Sequence, residues 1–150
     1  MIRARLPLVL PSFLCLLLSL ACNAQPVAVE SLNLVPWPAS VQPGRGTMEI
    51  TPQTWVVAQD ESLLPLARVL AEEIEQACGL KLKALPGKSR PGDVVLLLDG
   101  KLQAGPYTLE VGESACVIGR DYASAACGAA TLLQLIRRDG DRAFIQIGRA

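Results

Sequence analysis

Across residues 62–78 the apolar side chains recur at three- and four-residue steps. Leu63, Leu66, Leu70, Ile74, Ala77 and Cys78 fall on one face, and Arg68, Glu72, Glu73, Glu75 and Gln76 fall on the other. That period predicts an amphipathic surface helix whose charged side is solvated. Asp60 or Ser62 can cap its start, Pro65 is tolerated in its first turn, and Gly79 ends it. The period then shortens to two. Residues 80–85 alternate Leu with Lys, the pattern of a half-exposed strand. After a loop at 86–92, residues 93–99 contain Val94 to Leu98, a run apolar on both faces and therefore a central strand. Residues 107–111 and 115–119 flank Gly112-Glu113 and predict a hairpin.

A second helix is expected over 121–138. Its first half is narrow, with Ala123, Ala125, Ala126, Gly128, Ala129 and Ala130, so it can approach a sheet closely. Leu132, Leu133, Leu135 and Ile136 carry its apolar load, and Arg137 and Arg138 suit the negative end of its dipole. A turn at Asp139-Gly140 leads to a closing strand at 143–147. Ahead of the first helix, residues 34–46 hold Pro36, Pro38, Pro43, Gly44 and Gly46 and predict extended chain and turn. Short β-prone runs at 47–51 and 54–59 follow, separated by Pro52-Gln53. The order β-β-α-β-β-β-β-α-β with short hairpin links implies an α+β domain. It has two layers, a mostly antiparallel sheet with both helices packed on one face. Leu66, Leu70 and Ile74 should face that sheet, joined by Leu132 and Ile136.

The first 24 of the 150 residues change the picture of where this domain works. Arg3 and Arg5 precede an apolar run from Leu6 to Leu20, and small residues follow at Ala21 and Ala24. That order predicts a signal peptide at 1–24, a leader at 25–31 and one domain at 32–150. A membrane-spanning helix needs roughly 20 apolar residues, and Pro7 and Pro11 interrupt this run. The expected location is periplasmic or secreted. Cleavage after Ala24 gives a soluble product; the rival route cleaves before Cys22 and anchors the protein through a lipid on that residue. In an exported chain Cys78, Cys116 and Cys127 remain, an odd number that fits three buried thiols or one disulfide and a free thiol.

Charge and residue type exclude several chemistries. Lys plus Arg and Asp plus Glu both number 14, and no basic patch points to nucleic acid. There is no His, which removes Ser-His-Asp and Cys-His catalysis and the commonest metal ligand. Glycoside hydrolysis usually needs two held carboxyls. The acids here are Glu72, Glu73 and Glu75 on the solvated helix face and Asp93, Asp99, Asp121, Asp139 and Asp141 at element ends, where Asp serves turns and caps. Gly44-Arg45-Gly46 is too short for a phosphate loop. Trp37 and Trp55 could stack on sugars, but a packed aromatic is the simpler assignment. No catalytic, cofactor-binding or metal-ligating residue is nominated, and no cofactor is implied.

Two stretches carry a resemblance. Leu34-Val35-Pro36-Trp37-Pro38, Val41, Gly44 and Met48 to Ile50 resemble the opening of the N-terminal domain of bacterial β-N-acetylhexosaminidases, the family-20 glycoside hydrolases. Tyr107-Thr108-Leu109-Glu110-Val111, Val117-Ile118 and Gly128-Ala129-Ala130-Thr131-Leu132-Leu133-Gln134-Leu135 are similar to that domain's last hairpin and second helix. The resemblance covers about residues 32–148. It implies a non-catalytic α+β domain that precedes a (β/α)8 barrel, where an Asp-Glu pair works with the substrate's own acetamido group. Because the catalytic residues of that family belong to the barrel, none transfers to this chain. The resemblance makes the chain the leading fragment of such an enzyme, inactive alone, with the barrel as its partner. The alternatives are a free-standing envelope binding or scaffold domain, or the leading domain of another glycosidase such as an α-glucuronidase. Val35, Trp37 and the strand at 143–147 are expected to form the surface that a barrel covers.

Overall fold

The computed structural model describes residues 34, 38–103 and 105–150. The signal segment, the leader, Val35 and Trp37 lie outside the described residues. Eight strands and two α-helices follow in the order β1 (Gln42–Ile50), β2 (Trp55–Ala58), α1 (Leu64–Cys78), β3 (Lys83–Pro86), β4 (Val94–Leu98), β5 (Tyr107–Val111), β6 (Ala115–Gly119), α2 (Tyr122–Leu135), β7 (Ile136–Asp139) and β8 (Arg142–Arg149). A 3-10 turn at Glu61–Leu63 leads into α1, and Asp60 accepts the Ser62 backbone N–H at its start. Gly79 closes α1 at φ 74°, a left-handed conformation that suits Gly.

All eight strands form one mixed sheet in the order β1-β8-β5-β6-β4-β2-β3, with β7 paired to β8. The pairings β1/β8, β5/β6, β5/β8 and β7/β8 are antiparallel; β2/β3, β2/β4 and β4/β6 are parallel. The fold is therefore the expected α+β, with antiparallel pairings in the majority. In its parallel half, α1 carries the chain from β2 over the sheet to β3, the crossover a parallel pair requires, while β4 and β6 join that half through non-consecutive pairings.

Register shows how the two faces divide. Ala58, Leu96, Val117 and Leu109 are aligned across β2, β4, β6 and β5. All four share the main core with Leu66, Leu70 and Ile74 of α1 and Ala125, Ala129 and Leu132 of α2. The next row, Val57, Val95, Cys116 and Glu110, points to the opposite face. Met48, Ile50, Ala143 and Ile145 extend the core through β1 and β8. Ala77, apolar-faced by spacing, is exposed.

Several boundaries differ from the sequence expectation: the half-exposed strand expected at 80–85 spans Lys83–Pro86, and the closing strand expected at 143–147 spans Arg142–Arg149. The second helix stops at Leu135, and Ile136–Asp139 becomes a strand on β8. Arg137 and Arg138 thus lie in β7, not at a helix end. The turn Asp139 to Arg142 is short enough to fold β7 back on β8, and ladder pairing there displaces the last helical turn. Ile136 packs against the core from β7. β1 also begins earlier than expected, at Gln42, because a register shift between Pro43 and Thr47 accommodates the Pro- and Gly-rich run. Three strands are partnered on one side only: β1 carries Pro43 and this irregularity, β3 carries Lys83 and ends on Pro86, and β7 carries Arg137, Arg138 and Asp139.

α2 lies close on the sheet because two glycines make room. A Cβ on Gly128 would stand 2.6 Å from Val117 Cγ1 and 3.1 Å from the Tyr107 ring. A Cβ on Gly119 would collide with the backbone N of Ala125 and stand 2.7 Å from its Cα. Above Gly128, Tyr107 Oη and Thr131 Oγ1 share a hydrogen bond of 2.8 Å, and Thr131 donates to the Cys127 carbonyl.

Asp93 fastens the parallel half. It is 1% exposed, yet its carboxylate accepts the Trp55 N–H at 3.0 Å, the Arg90 N–H at 2.8 Å and the Arg90 guanidinium at 3.3 Å. Burial disfavours its charge, but the Arg90 side chain, the two backbone N–H groups and the guanidinium charge outweigh it. The carboxyl is held below the ordinary carboxylate range. Arg90 in turn stacks 3.4 Å from the Trp55 ring centroid and donates to the Gln53 carbonyl.

Two outcomes are expected. Gly119→Ala should destabilise by roughly 1–3 kcal/mol, since backbone must move. Gly112→Ala, with nothing within 4 Å of its Cβ position, should stay within about 0.5 kcal/mol. Equal urea midpoints for the two variants would show that α2 does not sit on Gly119. Asp93→Asn should cost about 1.5–3 kcal/mol at pH 7, the loss of hydrogen bonds to a charged acceptor. Because the folded carboxyl titrates below its unfolded value, that stabilisation is complete above about pH 4 and drains away as pH falls through the folded pKa. Denaturant melts of both proteins from pH 7 to pH 2 should show the gap narrowing below pH 4; a gap independent of pH would count against an ionised Asp93.

Candidate functional site

Six of the acids have a structural employment, Asp93 as described and five others. Asp121 caps α2 by accepting the Ser124 N–H at 2.8 Å, and the Ser124 hydroxyl, followed by that N–H, lowers its pKa. Asp60 is lowered in the same way by Ser62. Asp99 accepts the Lys101 N–H in the turn after β4. Asp139 pairs with Arg142 across the β7–β8 turn, and Glu110 pairs with Arg149 between β5 and β8. Glu72, Glu73 and Glu75 stand exposed on α1. Asp139 shares an open hollow with a second acid, Glu49, beside Thr47, Arg142 and Phe144, and there it is paired with Arg142.

Trp55 is half-buried, and the Arg90 guanidinium covers one side of its ring. That contact locks a loop to β2, so the packed assignment for this aromatic holds on the covered side. What the sequence did not reveal is the burial of Asp93: an Asp before an apolar run has the same signature whether it caps a turn or anchors one. The spacing Arg90-x-x-Asp93 was the available signal.

The three described cysteines are free thiols. Burial pushes the Cys78 thiol up, with a weaker opposing pull from Arg138. Cys116 is also raised by burial, and by the charge of Glu110 beside it. Neither resembles an activated nucleophile, which needs a depressed pKa. Cys127 is exposed on α2. No group of three or more His, Cys, Asp or Glu able to hold a metal occurs among the described residues.

The best-formed concavity, about 410 Å³, opens between β1, β8 and the end of α2. Leu34, Val41, Pro43, Leu109, Val111 and Leu135 are among its walls. Gln146 on this wall donates to the Gly44 and Gly46 carbonyls, and Arg149 is held by Glu110. A ligand site needs a few convergent polar groups, and these two are already engaged. The groove is a packing seam of the domain. No helix among the described residues is long and apolar enough to cross a membrane.

A β-hexosaminidase of Porphyromonas gingivalis is 26% identical over 132 residues, covering 81% of this chain and 17% of the relative. The GH20 exo-β-N-acetylglucosaminidase of Vibrio harveyi superposes with a TM-score of 0.67 at 22% identity, over 77% of this chain and 18% of that one. The GH20 β-N-acetylhexosaminidase of Streptomyces coelicolor gives 0.64 at 25% identity, over 75% of this chain and 24% of that one. The chain therefore spans at most about a quarter of each of these relatives. The family model described as glycosyl hydrolase family 20, domain 2, matches residues 31–147. With most of its length so matched, the chain belongs to glycosyl hydrolase family 20, where it corresponds to domain 2.

Proposed function

We propose that this chain is the accessory domain of an exported β-N-acetylhexosaminidase-like glycoside hydrolase, supports a (β/α)8 catalytic barrel, and is itself non-catalytic. The observation that carries the proposal is the match of residues 31–147 to domain 2 of glycosyl hydrolase family 20, and the engagement of six carboxylates supports it. In a domain matching family 20, Asp60, Asp93, Asp99, Asp121, Asp139 and Glu110 are committed to caps, turns and ion pairs. A glycosidase needs an acid poised near the substrate oxygen. Such a poised acid belongs, on this reading, to the roughly three quarters or more of each relative that lies beyond the match.

Export rests on Arg3, Arg5 and the apolar run before Ala24. A periplasmic or secreted domain follows, soluble if cleavage occurs after Ala24 and membrane-anchored if Cys22 carries a lipid. The domain limits of 1–24, 25–31 and 32–150 belong to the same proposal.

Two measurements test this. The purified chain should not hydrolyse an aryl N-acetylglucosaminide; turnover above background that follows the protein through purification would overturn the non-catalytic role. Intact-mass analysis of protein recovered from the cell envelope should show residues 1 to about 24 removed. A retained leader would refute export, and a lipid adduct on Cys22 would decide for the anchored form.

A further inference from the structure

On the strand at 143–147, expected from the sequence to meet a barrel, Ala143 and Ile145 are buried in the domain's own core. Side chains alternate along a strand, so Phe144 faces the side of the sheet away from both helices. It lies mid-row on a three-stranded arm. Glu49 of β1 is its cross-strand partner on one side, and Arg137 of β7 on the other. Asp139 and Arg142 form the next pair on the same face, and Thr47 is the next residue of β1 on that face. Thr47, Glu49, Asp139, Arg142 and Phe144 line an open hollow of about 470 Å³. Phe144 is half-buried, and the other four are exposed.

The chemistry of these walls selects among ligands. Two carboxylates would attract a cation, but Arg142 is paired with Asp139 at 3.3 Å and Arg137 stands beside Phe144. An anion is disfavoured in turn by Glu49 and Asp139. A neutral molecule rich in hydroxyls meets neither penalty. Carboxylate oxygens accept from hydroxyls, a guanidinium donates to them, and the Thr47 hydroxyl does either. In the seam between β1, β8 and α2 the polar groups are already engaged, whereas here capacity is left. Among the described residues the Glu49 side chain has no partner, and Asp139 and Arg142 spend one contact on each other. The apolar face of a sugar ring can rest on Phe144. An aromatic wall with a few placed polar groups is the composition of a small-molecule site. Thr47 and Glu49 also border a second, wider hollow with Gly92 and Gly112, which gives room for a further ring of a chain.

We infer that this hollow, on the side of the sheet away from the helices, binds a pyranose ring of a neutral glycan, and that the glycan is the β-linked N-acetylglucosamine chain on which the proposed enzyme acts. The choice of glycan rests on the accessory-domain proposal above. The site itself rests on Glu49, Asp139, Arg142 and Phe144.

The purified chain is titrated separately with chitotetraose, maltotetraose and calcium chloride, and its amide NMR signals are followed. Chitotetraose should shift the signals of residues 47–49 and 142–144 saturably. Phe144→Ala should weaken binding about tenfold, the loss of one ring contact. Glu49→Ala should weaken it by about fivefold or more, the loss of a charged acceptor. Glu49 is exposed, so its variant should keep the melting temperature and so separate a lost contact from a lost fold. No saturable shift, shifts confined to other strands, or unchanged affinity in both variants would overturn the inference. A response to calcium alone would make the hollow a cation site and overturn it too. A response to maltotetraose without one to chitotetraose would overturn the assigned glycan. Free N-acetylglucosamine accumulating in the chitotetraose samples would instead overturn the non-catalytic role, which a failure to bind leaves standing.

Discussion

The close seat of α2 on β6 is the contact on which the rest of the domain depends. Gly128 lets the helix rest on Val117 and Tyr107, and Gly119 admits Ala125 at the strand's end. Protein interiors are packed to near-crystalline density, so a gap of one methyl group at this spot would be felt through both layers. β6 is also where the sheet changes character, antiparallel to β5 on one side and parallel to β4 on the other. One helix therefore covers the junction of the two halves. The Tyr107–Thr131 hydrogen bond fixes the rotation of the helix above that junction.

The parallel half has its own fastening. Its strands begin near Asp93, which gathers the β2 start through Trp55 and the preceding loop through Arg90. A buried carboxylate is tolerable only when its acceptor sites are filled, and here four N–H donors fill them, one from Trp55 and three from Arg90. Among the described residues no buried side-chain polar atom lacks a partner. Asp60, Asp93, Asp99 and Asp121 serve the domain's internal order as caps and turn anchors.

Much of this was legible from residue order. The three-four periodicity of Leu66, Leu70 and Ile74 placed α1 and its buried side, and Gly79 marked its end. The doubly apolar run Val94 to Leu98 identified a central strand, and β4 is one. The Ala- and Gly-rich half of α2 foretold its close approach. What stayed hidden depends on pairing across long distances. Residues 136–139 have helical composition, yet the β8 ladder claims them. Parallel pairing of β2, β3, β4 and β6 leaves no mark in a local window, because each strand needs only to be apolar. The role of Asp93 was not legible, since it depends on Trp55, 38 residues away.

The pairing of β1 with β8 alone sets an order of events on the folding chain. Ile50 meets Ala143 and Gln42 meets Arg149, so the first strand to leave the ribosome has no ladder until the last one is made. Closing so long a loop is entropically late and slow relative to local helix and hairpin formation. Met48 and Ile50 remain without their core neighbours through that interval. The β2-to-α2 segment can assemble first as a smaller body, with the outer strands closing over it only when synthesis of the domain is complete.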